Sequence, residues 1–183
     1  MKIIKYDPKY EKDVEQVFLW AGSKRTRETD GLRELMHATF CDYYLQKESG
    51  SCFIAINDED RAVGYILCAK KYDKDKIETY IQEKNLAHLQ DIMIPSMSMY
   101  EPYIGKYDAH LHINVLPEYQ WSGIGSQLMD TLLDYLKKEK INGVMLGVAL
   151  NNEKGNNFYN KHSFKILEKN EQANIMGRKI SYV

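Results

Sequence analysis

Cysteine is scarce in this chain of 183 residues. The three present, Cys41, Cys52 and Cys68, are an odd number at spacings that suit neither a disulfide framework nor a zinc site. Two of them fall in apolar, strand-like runs, so they read as free core thiols in a reducing compartment, and a cytoplasmic location is the expectation. Only four prolines and 11 glycines interrupt the sequence, and no stretch rich in Pro, Gly or Ser divides it. With no internal repeat either, residues 1–183 are read as one domain. Charge of one sign is also missing: 25 Lys and Arg against 26 Asp and Glu leave a net charge of −1, without the basic footprint that nucleic-acid binding calls for. Charges break every long apolar run, and the opening MKIIKYDPKYEKD has no apolar core. A transmembrane helix, a signal peptide and a membrane partner are therefore not expected.

What is present suits a soluble, ordered domain: 44% hydrophobic and 28% charged residues, at a length that can bury a core unaided. Met1–Tyr6 alternates loosely, as an opening strand does. Asp7 and Pro8 form an N-cap and first helical residue, since the amide hydrogen proline lacks is one that position does not use. Tyr10, Val14, Val17, Phe18 and Ala21 then recur at helical spacing up to Gly22. The polar run Ser23–Glu28 reads as a loop. A second helix after Asp30 carries Leu32, Leu35, Met36, Thr39, Phe40 and Tyr43 on one face. Residues 51–57 and 61–69 are β-rich and flank Asp58-Glu59-Asp60, which predicts a hairpin.

Residues 71–107 are less regular. A charged helix carries Ile77, Tyr80 and Ile81, and Tyr72 precedes it. A stretch holding Met93, Met97, Met99, Tyr100, Tyr103 and Tyr107 follows, broken by Pro95 and Pro102. Segments of this kind form lids or binding loops, or pack on the core as insertions; Tyr and Met would equally suit contact with a second copy in a homodimer. Order returns with a strand at His110–Leu116, closed by Pro117. A strongly amphipathic helix runs from Gly123 to about Glu139, with Ile124, Leu128, Met129, Leu132, Leu133 and Leu136 on one face. Asn142-Gly143 is a turn, Val144–Leu150 an apolar strand, and a short helix starts near Asn151 or Asn152 and reaches Lys161. Strands near Phe164–Glu168 and Asn174–Tyr182 close the chain. The mixture predicts an α/β or α+β domain around a mostly antiparallel sheet.

The chemistry sits in HLHINVLPEYQWSGIGSQLMDTLLDYL, residues 110–136, which puts a Gly-rich turn between a buried strand and a long helix. Gly123 and Gly125 let an anionic ligand approach the backbone, and the first helical amides lack intrahelical acceptors while the dipole adds positive charge there. Such a turn holds a phosphate or pyrophosphate. A dinucleotide fingerprint fails, because its third glycine would fall on Leu128, and there is no Gly-Lys-Ser/Thr of a P-loop. Gln120-Trp121-Ser122-Gly123-Ile124-Gly125 instead resembles the Q/R-x-x-G-x-G/A signature of the GNAT superfamily of acyl-CoA N-acyltransferases. Downstream, Asn152-x-x-Gly155-x-x-Phe158-Tyr159-x-Lys161-x-Ser163-Phe164 is similar to that family's N-x-x-A-x-x-x-Y-x-K-x-G-F. The matching motifs cover roughly residues 108–165. The phrase HLHINVLPEYQ is also similar to the acetyltransferase-like domains of some O-GlcNAc hydrolases.

The resemblance implies a single-domain GNAT fold, a twisted and mostly antiparallel sheet flanked by helices, with a splayed strand pair that holds acetyl-CoA as cosubstrate. It implies that the backbone of Ile113, Asn114 and Val115 pairs with the pantetheine arm. Amides from Gln120, Trp121, Ser122, Gly123, Ile124, Gly125 and Ser126 would hold the pyrophosphate, and Asn152 would touch the coenzyme. Tyr159 would stand by the sulfur and protonate the leaving thiolate, unless it is only a packed core phenol. Three departures stand out. Trp121 and Ser122 occupy positions where Arg or Lys is common, so phosphate binding leans on backbone amides; Gly155 replaces Ala; Ser163 replaces Gly.

A base is not evident. One place where such enzymes carry a Glu falls on Ala109, leaving Asp108, Glu101, His110 and His112 nearby. His110 and His112 share one face of a strand, and an unperturbed imidazole suits a base near neutral pH, which makes both catalytic candidates. They also spell H-x-H, but with no Cys or third ligand nearby a metal is not expected. His37, His88 and His162 have no partner pattern. Two readings stay open: an enzyme that moves acetyl from acetyl-CoA to a small-molecule or peptide amine, and a non-catalytic coenzyme-binding module.

Overall fold

The computed structural model describes residues 1–22, 27–29 and 31–181. The loop expected at Ser23–Glu28 thus lies mostly outside the described residues, as do Asp30 and the end of the last strand at Tyr182. Lys2–Lys5 forms β1. Asp7 accepts the Lys9 amide hydrogen at 2.9 Å and opens a 3-10 turn, Pro8–Tyr10, that runs into α1, Glu11–Ala21. α2, Leu32–His37, passes through a π-helical turn, Ala38–Asp42, into α3, Tyr43–Lys47. The wider turn shifts the helical phase, so Cys41, Asp42, Tyr43, Tyr44 and Leu45 are all buried, a run that no simple 3.6-residue period allows.

β2, Phe53–Ile56, and β3, Ala62–Ala69, make the expected hairpin. Its register slips where Ala55 pairs with Gly64 and Ile56 with Ala62, so Val63 is the extra residue of a bulge. α1 is tied to this hairpin by Asp13, whose carboxylate takes two-pronged hydrogen bonds from the Arg61 guanidinium and a third from the Ala62 amide at 3.0 Å. Arg61, by its hydrogen bonds, holds the Asp13 carboxyl below the usual range. A depressed carboxyl contributes stability that is complete above its unfolded value of about 3.9 and is lost as pH falls through the lower folded value. Urea midpoints should therefore fall as pH drops from about 4 towards 2. Asp13→Asn should lower the midpoint at pH 7 and flatten that acid limb.

The segment expected to be irregular is mostly helical. Asp73 caps α4, Lys74–Glu83; a 3-10 turn, Ala87–Ile92, leads to α5, Ile94–Ser98, and another covers Glu101–Tyr103. Pro95 and Pro102 do not break these turns but are each the second residue of one, within the first turn, where no amide hydrogen is needed. Tyr72, Ile77, Tyr80, Ile81, Met93, Met97 and Tyr100 are buried, so the segment is part of the core. β4, Ala109–Val115, is followed by α6, Ile124–Lys138, then β5, Gly143–Ala149, α7, Glu153–Lys161, β6, Lys165–Lys169, and β7, Ala173–Lys179.

These strands form one seven-stranded sheet in the order β1-β2-β3-β4-β5-β7-β6. Every neighbouring pair is antiparallel except β4 and β5, which are parallel. One face is covered by α1, α2, α3 and the 71–107 segment; the other by α6 with Tyr159 and Phe164. Ile124, Leu128, Met129, Leu132, Leu133 and Leu136 of α6 are all buried, at roughly 1.5–3 kcal/mol for each side chain. Burial on both faces explains why β3 reads as a continuous apolar run. The three cysteines are buried and free. Among the described residues, no helix is long and apolar enough to cross a membrane.

Candidate active site

β4 and β5 are joined by only two residue pairs, Ala109 with Val144 and His110 with Met145. Beyond them the strands part, although each stays paired on its other side, β4 to β3 as far as Val115 and β5 to β7 as far as Ala149. Two backbone edges therefore face each other across a wedge: Leu111–Val115 on one side and Leu146–Ala149 on the other. Ile113, Asn114 and Val115, expected to meet a pantetheine arm, lie on that edge and are half-buried. The Asn114 side chain donates to the Tyr65 hydroxyl at 2.6 Å.

At the wide end lies the turn into α6. Gln120 folds back and donates to the Val115 carbonyl at 3.0 Å, and the Ser122 hydroxyl donates to the Tyr119 carbonyl. These bonds shape the loop with side chains; the Gln120 amide, expected to meet the pyrophosphate, is taken by the Pro117 carbonyl at 3.2 Å, and the amides from Trp121 to Ser126 are free among the described residues. Gly123, at φ +83, caps the helix in a left-handed conformation with nothing within 4 Å of the position a Cβ would take. The cradle expected for an anion is thus open at Gly123. Gly125 differs: a Cβ there would press on the Phe158 ring at 3.3 Å, so this glycine lets α6 and α7 approach. Ile124 is buried in the core, while Trp121 projects into solvent from a left-handed backbone at φ +69.

α7 is held at both ends. Asn152 caps it, accepting the Gly155 amide hydrogen at 2.9 Å, and Asn156 donates to the Ala149 carbonyl at the end of β5. A Cβ on residue 155 would lie 2.7 Å from the Asn152 amide nitrogen, so an Ala there would need the Asn152 side chain to shift. At the far end Ser163 takes φ +63, the conformation for which the related motif uses Gly, at a cost of about 1–2 kcal/mol for a residue with a Cβ. Between these anchors Tyr159 is buried, and its hydroxyl has no hydrogen-bond partner among the described residues. Burial pushes its phenol above the usual range, so it stays protonated and has a proton to give at neutral pH. The phenols of Tyr65 and Tyr100 lie near enough that ionised Tyr159 would raise both.

Tyr100 is a member of the site that the sequence did not single out for it. It arrives from the 71–107 segment and stacks edge-on against His110 at 4.2 Å between ring centroids. Met99 and Tyr100 lie directly over Gly147, where a Cβ would come within 2.7 and 2.5 Å of them.

His110 and His112 do share one face, with ring centroids 4.8 Å apart. It is the face under α2 and α3. His110 Nδ1 meets the Tyr44 hydroxyl at 2.8 Å, and His112 packs edge-on against Phe40 and Tyr44. Nε2 of each is buried without a partner among the described residues. Burial pulls His110 well below the usual imidazole range and His112 down to about 3, so both are neutral at pH 7. Asp108 is occupied by the Gly105 amide and Asn142, and Glu101 faces Lys74 at 3.6 Å. Ala109, where a Glu is common in the related motif, is fully buried against α6.

A further chain links Ser126, whose hydroxyl lies 3.1 Å from His162 Nε2, to Asp130, 3.8 Å from His162 Nδ1. The separation of 36 positions between Ser126 and His162 hid that contact from sequence reasoning. Among the described residues, no group of three or more His, Cys, Asp or Glu is placed to hold a metal ion.

Residues 16–164 match the acetyltransferase (GNAT) family, and the chain belongs to that family. Its fold is that of the crystal structure of SsHAT, which is 22% identical, with 98% of each chain covered and a TM-score of 0.79. The PaiA N-acetyltransferase of Thermoplasma acidophilum, solved in complex with coenzyme A, is 18% identical over 97% of this chain and 98% of its own, with a TM-score of 0.63. Naa20 of Chaetomium thermophilum, solved with a bisubstrate analogue, is 17% identical over 100% of this chain and 88% of its own, with a TM-score of 0.62. Identities this low speak for the fold. Acetyl transfer as a reaction class rests on membership of the family.

Proposed function

We propose that this protein transfers an acetyl group from acetyl-CoA to a primary amine by direct attack within a ternary complex. The observation that carries the reading is the wedge between β4 and β5, which opens beside the free first amides of α6 and within reach of a partnerless phenol on α7. An extended pantetheine arm matches the unpaired edge at Ile113–Val115 as an added strand would, since half the backbone groups of a paired strand point away from its neighbour. The amides from Trp121 to Ser126 take the pyrophosphate, that of Gln120 being held by the Pro117 carbonyl, and Asn152 borders the site from the start of α7. A backbone amide of β4 then faces the thioester carbonyl and stabilises its developing charge.

The amine attacks the carbonyl carbon, the C–S bond breaks, and Tyr159 delivers its proton to sulfur. Desolvation that makes the phenol a weaker acid also makes the leaving thiolate a stronger base, so donor and acceptor shift together. The acceptor enters from the side walled by residues 71–107, where Tyr100, His110 and His112 meet. An ammonium of pKa about 10.4 needs roughly 4–5 kcal/mol to lose its proton at pH 7. Neutral imidazoles so deeply buried would orient the amine or a water by their free Nε2 atoms, with solvent as the final proton sink. An acyl-cysteine route has no support: Cys41 and Cys68 are held protonated by burial, and Cys52 is pushed up to about 12.

Calorimetric titration with acetyl-CoA and CoA, followed by thiol release against a panel of primary amines, tests this. Binding with amine-dependent release is the expected result. Binding without release from any amine would favour a coenzyme-sensing module, and no binding would overturn the reading.

A further inference from the structure

We propose that Trp121 and Lys154 form the seat of the coenzyme's nucleotide end, the indole stacking on adenine and the ammonium meeting the 3′-phosphate. This deepens the reading of acetyl-CoA as donor and rests on it.

Among the described residues Trp121 is the most exposed of the large hydrophobic side chains, at 85%. Its backbone lies at φ +69, a conformation that disfavours bulky residues, so the indole is displayed at a conformational cost rather than left over from packing. It meets a cation: Lys154 Nζ lies 5.5 Å from the centre of the ring. That lysine forms no ion pair among the described residues and stands in the first turn of α7, where a positive charge opposes the helix dipole.

Trp121, two residues before the Gly123 cap of α6, meets Lys154 in the first turn of α7, so two helix N-termini, an ammonium with no ion pair among the described residues and an open aromatic face converge on one corner. Positive ends favour phosphate, and a bare indole favours a flat base. The corner lies two residues from the Gly123 cradle. In coenzyme A, the group that follows the pyrophosphate is an adenosine carrying a 3′-phosphate. The aromatic residue and the lysine thus divide recognition between base and phosphate.

The two tryptophans of the chain make this measurable. In a Trp20→Phe protein, fluorescence reports Trp121 alone. Coenzyme A and dephospho-coenzyme A should both quench it, whereas 4′-phosphopantetheine, which has no base, should not. Coenzyme A should bind about tenfold tighter than the dephospho form. Lys154→Gln should bring that ratio to about one without changing affinity for the dephospho form, and Trp121→Ala should weaken both nucleotides about tenfold. Calorimetry on the same samples separates the failures. Equal affinity for the two coenzymes, or saturation without a change in Trp121 emission, would overturn the seat and leave the donor reading intact. Absence of any binding heat would overturn both.

Discussion

Tyr159→Phe is expected to reduce amine-dependent thiol release about 100-fold while leaving the affinity for acetyl-CoA within about twofold. The magnitude is that of losing one positioned proton donor. Three features of the molecule support so clean a split. α7 is anchored by Asn152 and Asn156 at one end, and at the other the Arg178 guanidinium donates to the His162 carbonyl at 2.7 Å, so the ring should hold its place when one oxygen is removed. The hydroxyl has no partner among the described residues, so no hydrogen bond seen in the fold is lost. The ring itself packs near Phe158 and Phe164, and Phe keeps those contacts. Steady-state kinetics and calorimetry on one preparation check the prediction; unchanged turnover would remove Tyr159 from the chemistry.

Gly123→Val should abolish measurable coenzyme binding, a loss of more than about 100-fold. A β-branched residue at φ +83 is strained, and its side chain would stand in the open space an anion needs to reach the α6 amides. Gly125 is the less informative target, because a side chain there would press on Phe158 and disturb helix packing. Gly105 supplies the control: at φ +89, also with nothing within 4 Å, it carries comparable strain away from α6. Gly105→Val should cost similar thermal stability yet bind the coenzyme normally. If both variants bind, the phosphate cradle has been misplaced.

Much of the frame was legible because it is local. The spacing of Leu128, Leu132 and Leu136, the cap at Asp7 and the acidic turn at residues 58–60 each act over a few residues, where periodicity and turn chemistry decide. The motif around Gly123 was legible for the same reason. The 71–107 segment was harder to read because two prolines look like breaks until the chain is seen to begin a turn at each. The π-helical turn at Ala38–Asp42 escaped too, since it exists to bring Tyr44 beneath His110, a partner 66 residues away. That long-range contact also changes what the histidines are. As residues they promised titration near neutrality; as neighbours of Phe40, Tyr44 and Tyr100 they are desolvated, and their chemistry follows their surroundings.

The two rungs between β4 and β5 make the sheet a seam between half-sheets of four and three strands. A slot cut by parting strands has walls of main chain, and main chain is the same whatever residues it carries. Such a slot is set by register, and it tolerates almost any substitution that leaves the register alone. Chains only 17–22% identical to this one nevertheless share its fold, as a scaffold indifferent to most side chains allows. Novelty then concentrates above the slot, in whatever each chain lays across it, and here that cover is Met99 and Tyr100 resting on a bare Gly147.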